Sequence, residues 1–177
     1  MPTRVLIADR DGSILAAYRD FLSRTGFDVL TAPDGLKCIN ARRCFKPDVL
    51  ILELDIPWGG GMGVLEVMHE QFDVPLVPVL VLTSRQDPES LEGVTAFKMV
   101  NRYHVKPLAP DQLAKLIRTI EEESLLPEER RPAVLAEAAR RARRRSHVRT
   151  HHALLGAIAQ PCSPRLSEKT EPAFGVP

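Results

Sequence analysis

Apolar residues gather along this chain in short runs separated by stretches of helical spacing. Four runs are rich in β-branched residues or leucine: "RVLIA" (4–8), "FDVLT" (27–31), "DVLILEL" (48–54) and "VPVLVLT" (77–83). A weaker fifth is "RYHV" (102–105). The first, third and fourth are apolar on both alternations, which predicts strands covered on both faces. Between them, "SILAAYRDFLSRTG" places Ile14, Leu15, Tyr18, Phe21 and Leu22 three and four residues apart, and Gly26 supplies a stop. Segments 34–45, 63–72, 87–97 and 109–123 read as further helices, the last opening on Pro110 and Asp111. Strand and helix thus alternate five times in the first 123 residues. That order predicts an α/β domain built on a parallel sheet.

In such a sheet, chemistry collects at the carboxyl ends of the strands, near the point where strand order reverses. The residues at those ends are Asp9, Arg10 and Asp11 after the first strand, Glu53 and Asp55 after the third, Thr83 and Ser84 after the fourth, and Lys106 after the fifth. Acidic, hydroxyl and cationic side chains therefore converge on one edge.

Composition changes the picture only when the chain is divided. The whole carries a net charge of +1, but 14 basic residues face 18 acidic ones up to Leu126, against 10 and 5 from Pro127 onward. Two differently charged parts are joined. Cys38, Cys44 and Cys162 are odd in number and lack CxxC spacing, so reduced thiols are expected and not a disulfide framework or a zinc site. The N-terminus turns acidic after a few apolar residues, unlike a secretory signal, and no apolar run approaches the ~20 residues needed to cross a bilayer. A cytoplasmic protein without membrane attachment is expected.

Four stretches together resemble the receiver domain of two-component response regulators, over about residues 3–123. "VLIADRDGSI" resembles that family's first strand and acidic pair, and "PDVLILELDIP" its phosphoacceptor strand. "VPVLVLTS" resembles the strand ending in a hydroxyl residue, and "YHVKPL" the aromatic followed by Lys-Pro. The resemblance implies a doubly wound, flavodoxin-like fold with five parallel strands in the order 2-1-3-4-5. It implies that Thr83 and Lys106 contact a phosphoryl group, that Tyr103 is the switch aromatic, and that Pro107 follows a cis bond. It also implies a magnesium ion held by acidic groups, which neutralises phosphoryl oxygens during transfer to an aspartate.

Two positions depart from that pattern. Counting back four from Pro57, the phosphoacceptor place holds Glu53, and the second place of the acidic pair Asp9–Arg10–Asp11 holds arginine. Glutamate carries its carboxylate about 1.5 Å further out, and a misplacement near 1 Å costs an in-line attack on the order of a hundredfold. Arg10 puts a fixed positive charge where a metal ligand belongs. At about 5 Å and an effective dielectric near 20, its repulsion of a divalent ion is several kcal/mol. Magnesium is expected to bind weakly or not at all. The guanidinium is expected to pair with Glu53, Asp9 or Asp11, leaving Glu53 a standing anion against Arg10 and Lys106. Asp55, two before Pro57, is a lesser candidate acceptor. The triple glycine of "PWGGGMG" reads as a flexible turn, with Trp58 exposed as a candidate partner contact.

Beyond Pro127 a basic helical extension is expected over 127–159. Arg140, Arg141, Arg143, Arg144 and Arg145 on it are candidate anion contacts. His147, His151 and His152 lack flanking ligands and read as a polar patch. The proline-rich segment 160–177 is expected to be disordered. The combined reading is a non-enzymatic, phosphorylation-independent signalling domain acting through protein–protein contacts, with a histidine kinase or a downstream regulator as candidate partner and oligomeric state left open. Its rivals are a working phosphoacceptor in a phosphorelay and a nucleic-acid-binding regulator acting through the arginine-rich tail.

Overall fold

The computed structural model describes residues 1–70, 76–85 and 93–124. The expected extension over 127–159, with its five arginines and three histidines, and the tail 160–177 lie outside the described residues. The expected helix over 87–97 is described only from Gly93, where residues 93–95 are helical.

Five strands, β1 (Arg4–Ala8), β2 (Asp28–Ala32), β3 (Val49–Leu52), β4 (Val79–Thr83) and β5 (Val100–Val105), form one parallel sheet in the order β2-β1-β3-β4-β5. The helices are α1 (Gly12–Arg24), α2 (Gly35–Phe45), α3 (Gly60–Glu70) and α4 (Pro110–Ser124). Burial explains the order. All residues of β3 and β4 are buried, and so is β1 after Arg4, so these apolar runs fill the middle. The mixed patterns of β2 and β5 suit the two edges.

Side-chain alternation then divides the core in two. Leu6, Leu50, Leu52, Val79 and Val81 point to one face, where they pack with Ile39, Val64, Leu65 and Met68 from α2 and α3. Their neighbours Val5, Ile7, Val49, Ile51, Leu80 and Leu82 point to the other, against Leu15, Leu22, Leu113 and Ile117 from α1 and α4. Each such side chain contributes roughly 1.5–3 kcal/mol on burial.

Two expectations are corrected here. Helix α3 begins at Gly60, three residues before the predicted start, so the glycine run is not a free turn. A Cβ on Gly61 would lie 2.6 Å from the Glu53 carbonyl oxygen and 2.7 Å from the Leu54 Cα, and only glycine allows that approach. Cys38 is a free, buried thiol whose pKa burial pushes up to about 12. Cys44 is disulfide-bonded, so the expectation of reduced thiols fails there.

Candidate functional site

Order reverses at β1, so the residues just past β1 and β3 are neighbours. Their backbones extend the sheet by one rung: Glu53 N–H donates to the Ala8 carbonyl at 2.9 Å, and Asp9 N–H to that of Ala32 at 3.1 Å. On the far side Lys106 N–H donates to the Thr83 carbonyl at 2.8 Å. Four strand ends, those of β1, β3, β4 and β5, thereby aim Asp9, Glu53, Thr83 and Lys106 at one point. Asp9 and Glu53 are each 3% exposed and Thr83 is fully buried.

At that point Lys106 Nζ bridges two carboxylates. It pairs with Glu53 Oε2 at 2.9 Å and also with Asp9 Oδ2. Glu53 Oε1 accepts from the Thr83 hydroxyl and from the backbone N–H groups of Leu54 (2.6 Å) and Asp55 (3.1 Å), while Oε2 accepts from Ser84 N–H at 3.1 Å. The Lys106–Pro107 peptide bond is cis. The profile described as response regulator receiver domain matches residues 5–118.

The chain belongs to the response regulator receiver domain family.

Among its relatives, the probable transcriptional regulator ycf27 of Guillardia theta is 32% identical over 118 residues, 66% of this chain and 44% of that one. The alkaline phosphatase synthesis transcriptional regulatory protein PhoP of Bacillus subtilis is 27% identical over 121 residues, 68% of this chain and 49% of that one. This chain spans about half the length of the curated relatives it matches. The structure of the chemotaxis response regulator CheY4 of Vibrio cholerae superposes with a TM-score of 0.62 at 26% identity, over 68% of this chain and 99% of that one.

Within this receiver domain the arginine does not go where expected. Arg10 Nη1 pairs with Asp55 Oδ2 at 2.8 Å, not with Glu53, Asp9 or Asp11. The reason is that those three carboxylates are already engaged. Lys106 holds Glu53 and Asp9, and Asp9 Oδ1 also accepts Asp11 N–H at 3.0 Å. Asp11 caps α1, accepting from Ser13 N–H (2.8 Å), Ser13 Oγ–H (2.6 Å) and Ile14 N–H (3.3 Å). Among the described residues at this edge, Asp55 is the carboxylate that takes the guanidinium, and the pair lies at the surface with side chains 62% and 49% exposed.

The electrostatics follow from these contacts. Burial would raise the Glu53 pKa, but the Thr83 hydroxyl, the Lys106 ammonium and the Asp55 N–H together bring it below the ordinary value. Burial would lower the Lys106 pKa, and hydrogen bonds to Asp9 and Glu53 raise it instead. Asp11 is lowered by its bonds from Ser13 and Ile14.

The family implies a magnesium ion, and this donor set does not fit one. Asp9 and Glu53 share an ammonium, Asp55 holds a guanidinium, and Asp11 is spent on a helix end. Among the described residues there is no group of three His, Cys, Asp or Glu able to hold a metal ion. Nor does any helix among them have the length and apolarity to cross a membrane.

A further connection leads outward. Arg85 N–H donates to Thr83 Oγ1 at 3.2 Å, and the Arg85 carbonyl accepts from the Tyr103 hydroxyl at 2.8 Å. The Tyr103 ring packs partly buried against the core. Residue spacing had not pointed to the amides of Leu54 and Ser84 or to the backbone of Arg85. The capping role of Asp11 was visible in "DGSI", an aspartate just ahead of a helical run.

Proposed function

We propose that this receiver domain signals without phosphoryl transfer, as a module that acts through protein–protein contacts. The observation that carries this reading is the saturation of Glu53. Five donors, namely one hydroxyl, one ammonium and three backbone N–H groups, meet a carboxylate with about four lone-pair sites. A nucleophile so engaged must shed partners before it can attack, and its lowered pKa marks it as a poor one. Thr83 and Lys106, whose family role is toward a phosphoryl group, here serve the side chain itself. Glu53 thus stands as a fixed anion, and the link through Thr83 and Arg85 to Tyr103 carries its influence to the β5 edge. A histidine kinase or a downstream regulator is the partner class this reading favours. Magnesium, repelled by Lys106 and Arg10, binds weakly or not at all.

Incubation of the full chain with a small phosphodonor and magnesium, followed by mass spectrometry, tests this directly. No stoichiometric adduct is expected, and one on Glu53 would end the proposal. A magnesium titration followed by the single tryptophan, Trp58, gives a second test. The wild type should show no response, and an Arg10→Asp, Glu53→Asp double variant should gain one.

A further inference from the structure

Cys38 and Cys44 share helix α2 but not their surroundings. Cys38 is fully buried, and burial pushes its thiol up to about 12, which keeps it from the thiolate chemistry of disulfide exchange. Cys44 stands exposed in the last turn, and it is the disulfide-bonded one. Exposed disulfides are the labile kind, opening and closing with the redox poise around them. The chain holds three cysteines and Cys38 is free, so elimination leaves Cys162 as the partner.

Cys162 lies outside the described residues, but the two helix ends bring the chain within its reach. The carbonyl of Phe45, next to Cys44, accepts from Arg4 Nη1 at 2.9 Å, so the end of α2 rests on the start of β1. Thr3 Oγ1 donates to Glu121 Oε1 at 2.8 Å, so the end of α4 rests on the same strand start. Both helices therefore finish at the end of the sheet remote from Glu53. They are separated there by roughly the thickness of a sheet with a helix on each face, on the order of 20 Å. The 37 residues from 125 to 161 can extend to roughly 120 Å, so Cys162 reaches Cys44 with chain to spare.

We propose that Cys44 and Cys162 form a reversible disulfide that ties the C-terminal segment back to the end of α2. A low-molecular-weight disulfide of the glutathione class is the oxidant. The Cys44 thiolate attacks it, forming a mixed disulfide and expelling one thiolate. The Cys162 thiolate then attacks the Cys44 sulfur and expels the second. Two protons pass from the cysteines to the expelled thiolates, and two electrons reduce the oxidant. Closed, the bond encloses Arg140, Arg141, Arg143, Arg144 and Arg145 in a loop held at the domain; open, it lets them range away from it. Redox state thus sets how far the arginine-bearing segment extends, whatever the fate of Glu53, which phosphodonor labelling reads separately.

Equilibration of the full chain at low concentration in glutathione buffers, from fully reduced to fully oxidised, tests this. On oxidation the intact mass should fall by two hydrogens with no glutathione retained. Peptide mapping should join the peptides that carry Cys44 and Cys162, and the radius of gyration from small-angle scattering should shrink. Dithiothreitol should reverse all three changes. Cys44→Ser and Cys162→Ser should each keep the radius of the reduced wild type in every buffer. A bond through Cys38, a disulfide-linked pair of chains, a stable glutathione adduct, thiols that stay reduced throughout, or an unchanged radius would each overturn the proposal.

Discussion

Removing the Lys106 ammonium is the most informative perturbation, because one cation serves two buried carboxylates. At 2.9 Å from Glu53, with an effective dielectric near 20, the gross attraction is about 6 kcal/mol. The Asp9 contact is at least as close. Desolvation of all three groups offsets much of this, and breaking such a buried pair by deleting one partner costs about 3–5 kcal/mol. Lys106→Met keeps most of the side chain's bulk and leaves Asp9 and Glu53 unpaired beside each other. With a urea m-value of about 1–3 kcal/mol/M, the unfolding midpoint should fall by about 2 M at neutral pH. The deficit should shrink as the pH drops toward 5, because one of the stranded carboxylates takes up a proton in the folded state before it does so unfolded. Arg10→Ala is the control. Its surface pair with Asp55 contributes about 0–1 kcal/mol, so that midpoint should hardly move. A Lys106→Met midpoint within the scatter of the Arg10→Ala value, at every pH, would refute the claim that this ammonium holds the site together.

The wild type should be insensitive to pH over a broad middle range. The folded pKa of Glu53 is depressed, so its contribution is full above the ordinary 4.5 and is lost as pH falls through the lower folded value. That of Lys106 is raised, so its contribution is full below 10.5 and fades as pH climbs through the higher folded value; thermal melts across this range check both limbs. Gly61→Ala should destabilise by about 2–3 kcal/mol or more, since the new methyl meets backbone at 2.6 Å that cannot swing aside, and a wild-type melting curve would contradict this. Asp11→Ala should lower the unfolding midpoint by uncapping α1, with Asp11→Asn recovering most of the loss in the same denaturation assay.

The parts of the fold that could be read from residue order were those buried on both sides. Continuous apolar runs made β1, β3 and β4 plain, whereas β5, an edge strand with intermediate burial and a register shift near Leu80, showed only its last four residues in "RYHV". The start of α3 was misread because three glycines look like loose chain. Gly61 makes a close contact with the Glu53 backbone while Gly59 and Gly60 hold positive φ, and both needs exist only in three dimensions. Spacing brought Glu53, Thr83 and Lys106 to one edge because strand ends are fixed by topology. It could not rank the four carboxylates within reach of Arg10. That choice depended on Lys106 and the α1 cap claiming three of them first, which is a matter of competition and not of sequence distance.

The pairing of Arg10 with Asp55 also bears on how this domain could change over generations. Aspartate at position 10 alone would place another negative group beside an orphaned Asp55 while Lys106 still held Asp9 and Glu53. Shortening Glu53 alone would withdraw its carboxylate from the Thr83 hydroxyl with no ion to replace the lost contacts. Each change is unfavourable by itself, so the two positions are coupled, and a substitution at one becomes tolerable only together with a substitution at the other.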